Sequence, residues 1–221
     1  MTRTAYSRQI QELRDDVVAM ASMVDKAIAR STEALQQRDV DRARAVIRGD
    51  AKINERRWSI EERALLIIAT QAPMASDLRI IAAVIHIVTD LERMADHAAG
   101  NAKIAVETAE EPPLKPLVDI PRMSDVSRSM LNDSITAFIQ ADAEAARALV
   151  MRDDEVDDLY NQVYRELLSF MLADPTTISR ATHLLWAAHN LERVADRVTN
   201  ICERVVFAVN GKLEEIAVST Y

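Results

Sequence analysis

Apolar side chains recur every three or four residues along almost the whole chain. In the clearest stretch, Ile80, Val84, Ile87, Leu91, Met94 and Ala98 fall on one line of a helical period. The same spacing predicts six helices, over roughly 6–37, 40–71, 74–108, 122–140, 143–172 and 175–209. Asp39, Asp142 and Asp174 stand where their short carboxylates can accept from the free amides of a first helical turn. Pro73 and Pro175 lie where helices can begin. The third and sixth helices run to about 35 residues, or about 50 Å. Only EEPPLKPLVDIP, residues 110–121, breaks the pattern, and it holds Pro112, Pro113, Pro116 and Pro121. Helices this long, joined this tightly, pack as antiparallel bundles.

The two halves of the pattern repeat each other. ALQQRDVDRARAVIRGD (34–50) aligns with AFIQADAEAARALVMRDD (137–154), so that Asp39 matches Asp142, Arg44 matches Arg147 and Asp50 matches Asp153. Farther on, DLERMAD (90–96) aligns with NLERVAD (190–196). The spacing falls from 103 to 100 residues, a net loss of three between the landmarks. Repetition at this scale predicts an all-α fold of two tandem antiparallel three-helix bundles. The first covers residues 1–110, the proline-rich linker 111–121 and the second 122–221.

Composition narrows the function. Three glycines, six prolines and 4% aromatic residues in 221 leave too few turns for sandwiches or barrels. A formal net charge of -8 disfavours nucleic acid, which selects a basic footprint, and suits the collection of cations. The single cysteine, Cys202, cannot close an internal disulfide. The opening MTRTAYSRQIQEL has no apolar signal core, and no run of about 18 apolar residues occurs. These features predict a cytoplasmic protein that meets a membrane only through partners. With no glycine-rich phosphate loop and no nucleophile elbow, kinase, NTPase and hydrolase chemistry lack support, and no catalysis is expected.

Acidic residues stand on the apolar faces. With Leu91 as origin, Glu92 falls at about 100°, inside the apolar arc of its helix, and Asp96 at about 140°, on its edge. Glu192 and Asp196 repeat the arrangement in the sixth helix. On the second helix Asp50 continues the stripe Ala43, Val46, Ile47 and Ile53, with Asn54 one turn on. On the fifth, Asp153 continues Ala146, Leu149, Val150, Val156 and Tyr160, with Asp157 one turn on. Carboxylates one turn apart point the same way, so pairs on adjacent helices can face each other. Gathering them on a half-buried face costs several kcal/mol each in desolvation and repulsion. Protonation, pairing with arginine or a metal ion relieves that cost. Arg93 and Arg193, at about 200°, are expected to point away from the acids. Oxygen donors suit Mg, Mn, Fe or Zn. The plainer alternative is a set of interhelical salt bridges or a solvated flank. The same constellation in both halves argues for a shared cation pocket.

Other residues weigh less. His189, near Asp196 in angle, is a candidate extra ligand or a surface histidine; His86 and His97 face elsewhere, and His183 has no evident partner. Asp77 balances charge at a helix N-terminus. Trp58 and Trp186 are expected to pack, and Cys202 to be an inert buried thiol. A carboxylate-bridged di-metal oxidase is the weakest reading, because Ala95 and Ala195 stand three after Glu92 and Glu192, where ferritin-like sites place histidine.

LERMAD and NLERVADRVTNI, with QAPMASDLR (71–79) and RDDEVDDL (152–159), closely resemble the signatures of the PhoU family. The resemblance spans nearly the whole chain. It implies two three-helix bundles that bind multinuclear iron or zinc clusters at the E/D-x-x-x-D motifs. Carried over, the first site comprises Asp50, Glu92 and Asp96, and the second Asp153, Asp157, Glu192 and Asp196. The chain departs from the pattern at Asn54, which stands where the second half has Asp157, and at Gly100, which stands where it has Asn200. The resemblance further implies a homodimeric regulator. It would act with the phosphate ABC transporter, through its ATPase subunit, and with a phosphate-sensing histidine kinase, negatively regulating the phosphate-starvation response. A metal-free helical interaction module is the alternative.

Overall fold

A computed structural model describes residues 3–216, and every regular element among them is helical. Seven α-helices follow one another: α1 Arg3–Gln37, α2 Val40–Gln71, α3 Ser76–Glu107, α4 Asp119–Gln140, α5 Ala143–Val150, α6 Asp153–Ala173 and α7 Ile178–Asn210, with a 3₁₀ turn Pro175–Thr177 before the last. Helices α1, α2 and α3 pack together as one bundle, and α4, α5–α6 and α7 as the second. The outer ends of the expected units, residues 1–2 and 217–221, lie outside the described residues. None of the described helices is long and apolar enough to cross a membrane.

The helix ends follow the capping residues. Asp39 accepts from the Arg42 amide at 2.9 Å, Asp142 from Glu144 and Ala145 at 3.1 and 2.9 Å, and Asp174 from Thr176 at 3.0 Å. Two boundaries differ from expectation. Helix α4 starts at Asp119, so Pro121 sits inside its first turn, where a missing N–H leaves no bond unmade. The fifth predicted helix is broken at Met151–Arg152 into α5 and α6. There the backbone tightens, Arg152 donating to the Leu149 carbonyl at 3.0 Å, while the Arg152 guanidinium reaches Asp133 on α4 at 2.8 Å. Asp153, Asp154 and Glu155 then occupy the first turn of α6, where the helix dipole favours negative charge.

Tight turns here use residues with side chains. Arg38, Ala72, Ala75 and Ala141 all have positive φ. Ala75, between α2 and α3, is the most unusual at φ 47° and ψ −113°. A Cβ is disfavoured there by about 1 kcal/mol. Ala75→Gly is therefore expected to raise the melting temperature of the full chain by about 2–4 °C. An unchanged or lowered melting point in a thermal scan would contradict the strain.

One continuous apolar core runs through both bundles. Its spine is the antiparallel pair α3 and α7, which bury Leu91, Met94, Ile201 and Cys202 almost completely, each large apolar side chain stabilising by about 1.5–3 kcal/mol. Polar contacts set the register of this pair. Fully buried Asn101 donates to the Ala187 carbonyl at 3.2 Å and accepts from Asn190 at 2.9 Å. Asn190 Oδ1 also lies 3.2 Å from His97 Nδ1. At the other end Asp90 accepts from Asn200 at 3.3 Å and lies 3.5 Å from Arg197. Helices α1 and α4 join beside them through Asp25, which takes Arg128 in two bonds of 2.9 and 3.2 Å. The proline segment straps across the molecule: Arg38 donates to the carbonyls of Ala109 and Glu111, and Arg180 to that of Pro112 at 3.2 Å.

Candidate metal centre

The helix pairs α2–α3 and α6–α7 hold the predicted acids along equivalent seams. Asp50 and Asn54 project from the middle of α2 towards Glu92 and Asp96 on α3, and Asp50 lies within electrostatic range of Asp96 and Glu92. In the second half Asp153 and Asp157, in the opening turns of α6, face Glu192 and Asp196 on α7. The structure thus lines the seven predicted acids along two seams, within electrostatic range of one another. Glu92 and Glu192 are each only 8% exposed, which follows from their place inside the apolar arcs.

Among the seam acids, four oxygens are buried without a hydrogen-bond partner: Asp50 Oδ1 and Glu92 Oε2 in one half, Asp153 Oδ1 and Glu192 Oε2 in the other. They occupy matching positions of the repeat. Burial, and then the charge of Asp196, push Glu192 up to about 7, with Asp157 and Asp153 adding to the repulsion and Arg193 opposing it. Burial followed by Asp196, Asp157 and Asp154 pushes Asp153 up to about 7 as well. Asp157, Asp50 and Glu92 are raised by the same causes, burial first. Buried, mutually repelling carboxylates, each seam with two oxygens left without a hydrogen bond, offer the kind of donor that a hard or borderline cation takes. Among the described residues, however, no three His, Cys, Asp or Glu side chains stand close enough together to form a ready-made cage. Closure on an ion therefore requires side-chain rotation within each seam.

Several neighbours differ from expectation. Arg93 and Arg193 do not point away. Their long side chains fold back, placing Arg93 3.6 Å from both Glu92 and Asp96, and Arg193 2.5 Å from Asp196. Arg57, which sequence reasoning missed, reaches Glu92 Oε1 at 3.4 Å while bonding Glu61 at 2.9 Å. Its signal was available: it stands seven residues after Asp50, two turns along the same face. Asn54 donates to Asp50 Oδ2 at 3.1 Å, so its amide quiets one acid of the first seam. Gly100 belongs to neither seam: a Cβ there would meet Asn190 Nδ2 at 3.0 Å across the bundle interface.

The remaining candidates resolve individually. His189 Nδ1 lies 3.2 Å from Glu192 Oε2, outside hydrogen-bonding geometry, with its ring 6.0 Å from that of Tyr160. His183 packs edge-on against Trp186 at 5.8 Å. Burial holds His97 below the ordinary histidine range. Trp58 and Trp186 are not packed inside; they are 60% and 54% exposed. Cys202 is fully buried, and burial pushes its thiol up to about 12, which makes it inert.

Comparison with known proteins places this geometry. The PhoU domain matches residues 17–105 and again 120–205. A phosphate-specific transport system accessory protein PhoU homolog of Aquifex aeolicus is 42% identical over 206 residues, 93% of each chain. The Clostridium acetobutylicum homolog is 35% identical over 213 residues, 96% of this chain and 97% of its own. The crystal structure of PhoU from Pseudomonas aeruginosa superposes with a TM-score of 0.89 at 32% identity, covering 94% of this chain and all of that one. The phosphate transport system regulatory protein PhoU from Streptococcus pneumoniae gives 0.88 at 30% identity, covering 95% and 99%. Similarity in sequence and in backbone, end to end and once in each repeat, makes this chain a member of the PhoU family.

Proposed function

We propose that the chain is a metal-binding accessory protein of phosphate transport, which acts by binding and not by turnover. The observation that carries this reading is the match of both halves to the PhoU domain, with relatives named as phosphate-specific transport system accessory proteins at 42% and 35% identity. On this reading it works in the cytoplasm as a homodimer, on the ATPase subunit of a phosphate ABC transporter and on a phosphate-sensing histidine kinase. It holds down uptake and the starvation response when phosphate is plentiful. Exposed apolar residues at equivalent hairpin tips supply faces for such partners: Leu65, Leu66, Met74 and Leu78 in one half, Leu168, Leu172, Ile178 and Trp186 in the other.

The buried, partnerless carboxylate oxygens support the metal reading. Asp50, Glu92 and Asp96 would hold a cation, iron or zinc, in the first half, and Asp153, Asp157, Glu192 and Asp196 in the second. When bound, the ion cancels their repulsion and ties neighbouring helices together. The absence of a ready-made cage among the described residues favours, as a second reading, a metal-free module whose acids meet basic partner residues. Partner binding that weakens with salt and ignores chelators would select that reading.

Removing the gene from its source organism tests the proposal. Phosphate uptake and expression of starvation genes in phosphate-rich medium are expected to rise several-fold and to return when the wild-type chain is restored. Uptake and expression indistinguishable from the parent would sink it.

A further inference from the structure

A cavity of about 400 Å³ opens beneath the proline strap, where the two halves meet. Its floor is apolar, built from Leu35 at the end of α1, Leu184 of α7, and Leu114 and Leu117 of the strap itself. Charged side chains from three parts of the chain stand around that floor: Arg38 after α1, Glu111 in the strap and Arg180 in the first turn of α7. Lys115, also on the wall, is already neutralised by Glu166 and by Asp119 at 3.8 Å.

The charges of Arg38, Glu111 and Arg180 are left apart. Arg38 gives its Nη2 to the carbonyls of Ala109 and Glu111, and Arg180 its Nη1 to that of Pro112 at 3.2 Å. A guanidinium carries five N–H groups, so each arginine keeps donors to spare. Arg180 acts on Asp174 at longer range without pairing with it. Glu111 Oε2 is shut from water and has no hydrogen-bond partner. Among the described residues, none of the three enters an ion pair. An acceptor sealed in this way costs free energy until a donor reaches it. The carboxylate that carries it belongs to the cavity wall, and a half-turn about its last bond exchanges the two oxygens. The cavity thus presents an unmet anion and two unmet cations over an apolar floor.

We propose that this cavity binds a free α-amino acid with a large apolar side chain. The ammonium donates to the Glu111 carboxylate, the ligand carboxylate takes the spare N–H groups of Arg38 and Arg180, and the side chain lies on the four leucines. A zwitterion supplies both missing partners at once. A plain anion meets only the arginines and leaves Glu111 alone, and a plain amine does the reverse. The volume falls in the range of small-molecule sites, which are mostly apolar with a few convergent polar groups. The occupant bridges the end of α1, the strap and the start of α7. It therefore sets how firmly the two halves are clasped beside the exposed tip at Leu172 and Ile178. The inference goes beyond the accessory role and does not rest on the metal reading.

Calorimetric titration of the full chain with L-tryptophan, L-leucine, tryptamine and indole-3-propionate tests it. About one L-tryptophan per chain is expected to bind, with L-leucine competing for the same site, and tryptamine and indole-3-propionate at least about tenfold weaker. Glu111→Gln removes a carboxylate that pairs with nothing in the fold. It is expected to weaken L-tryptophan at least about tenfold and not to weaken indole-3-propionate. Arg180→Gln is expected to weaken L-tryptophan and indole-3-propionate alike and to spare tryptamine. Circular dichroism confirms that each variant is folded, and the Glu111 variant alone decides the matter if the arginine variant is not. No saturable binding of either amino acid to wild type overturns the proposal. So does equal affinity for L-tryptophan and indole-3-propionate, or a Glu111→Gln chain that binds L-tryptophan as wild type does.

Discussion

Glu192→Gln combined with Asp196→Asn is expected to lower metal retention at least about 100-fold and to make the metal-free protein less sensitive to pH. Both effects have one origin. In the folded chain Glu192 and Asp153 are pushed up to about 7 by burial and by surrounding carboxylates. In the unfolded chain such groups titrate near about 4. Between those values the folded form holds protons that the unfolded form has released. Metal-free wild type is therefore most stable below about pH 4 with respect to these groups, loses stability as pH rises through about 7, and levels off above it. On the metal reading, protons would compete with an ion for the same oxygens, so metal retention is expected to rise over the same interval. The double variant removes Glu192 as a titrating group and Asp196 as the leading charge acting on Asp153, so the slope flattens. Melting curves in chelator between pH 5 and 8, and metal content after dialysis, read the two effects separately. Unchanged retention in the double variant would remove these residues from the metal site.

Asn101→Ala is expected to cost about 3 kcal/mol of stability, lowering the melting temperature by about 6–12 °C. Asn101 is completely buried between α3 and α7, where it donates to the Ala187 carbonyl and accepts from Asn190. Alanine leaves a backbone carbonyl and a side-chain amide without partners in the core, and opens a void beside them. Gly100→Ala is the smaller companion. Its Cβ would arrive 3.0 Å from Asn190 Nδ2, an atom that cannot swing aside without breaking its bond to Asn101. Denaturant titration of the full chain measures both. A loss below about 0.5 kcal/mol for Asn101→Ala would show that this polar contact does not hold the two bundles together.

The twin bundles were legible because each helix declares itself locally. The stripe from Val84 to Ala98 is buried as its period requires, and Asp39, Asp142 and Asp174 cap as their short side chains allow. The acids were legible for the same reason, since an angle around a helix locates a Cβ. It does not locate a guanidinium several bonds away, which is why Arg93 and Arg193 turn back where their angles pointed outward. The break at Met151 was hidden because Leu149, Val150 and Val156 keep the apolar stripe in step across it. The two tryptophans gave no periodic signal, and a rare aromatic is not thereby a buried one. The role of Gly100 depends on which residue of α7 lies opposite, a register that only the assembled bundles define.

That register also carries an asymmetry left by duplication. Asp90 and Asn190 are repeat equivalents, as are His97 and Arg197, and Gly100 and Asn200. Yet across the spine Asp90 meets Asn200 and Arg197, while Asn190 meets Gly100 and His97. Two copies of α3 laid against each other would set Asp90 beside the partner's bare Gly100, losing the Asn200 amide, and would put a histidine where the Arg197 guanidinium stands. Two copies of α7 would press Asn190 onto the partner's Asn200, with no gap to receive it. Each half is therefore a poor match for a copy of itself and a good match for its sibling, so the spine selects an α3 against an α7 and disfavours pairing of like halves.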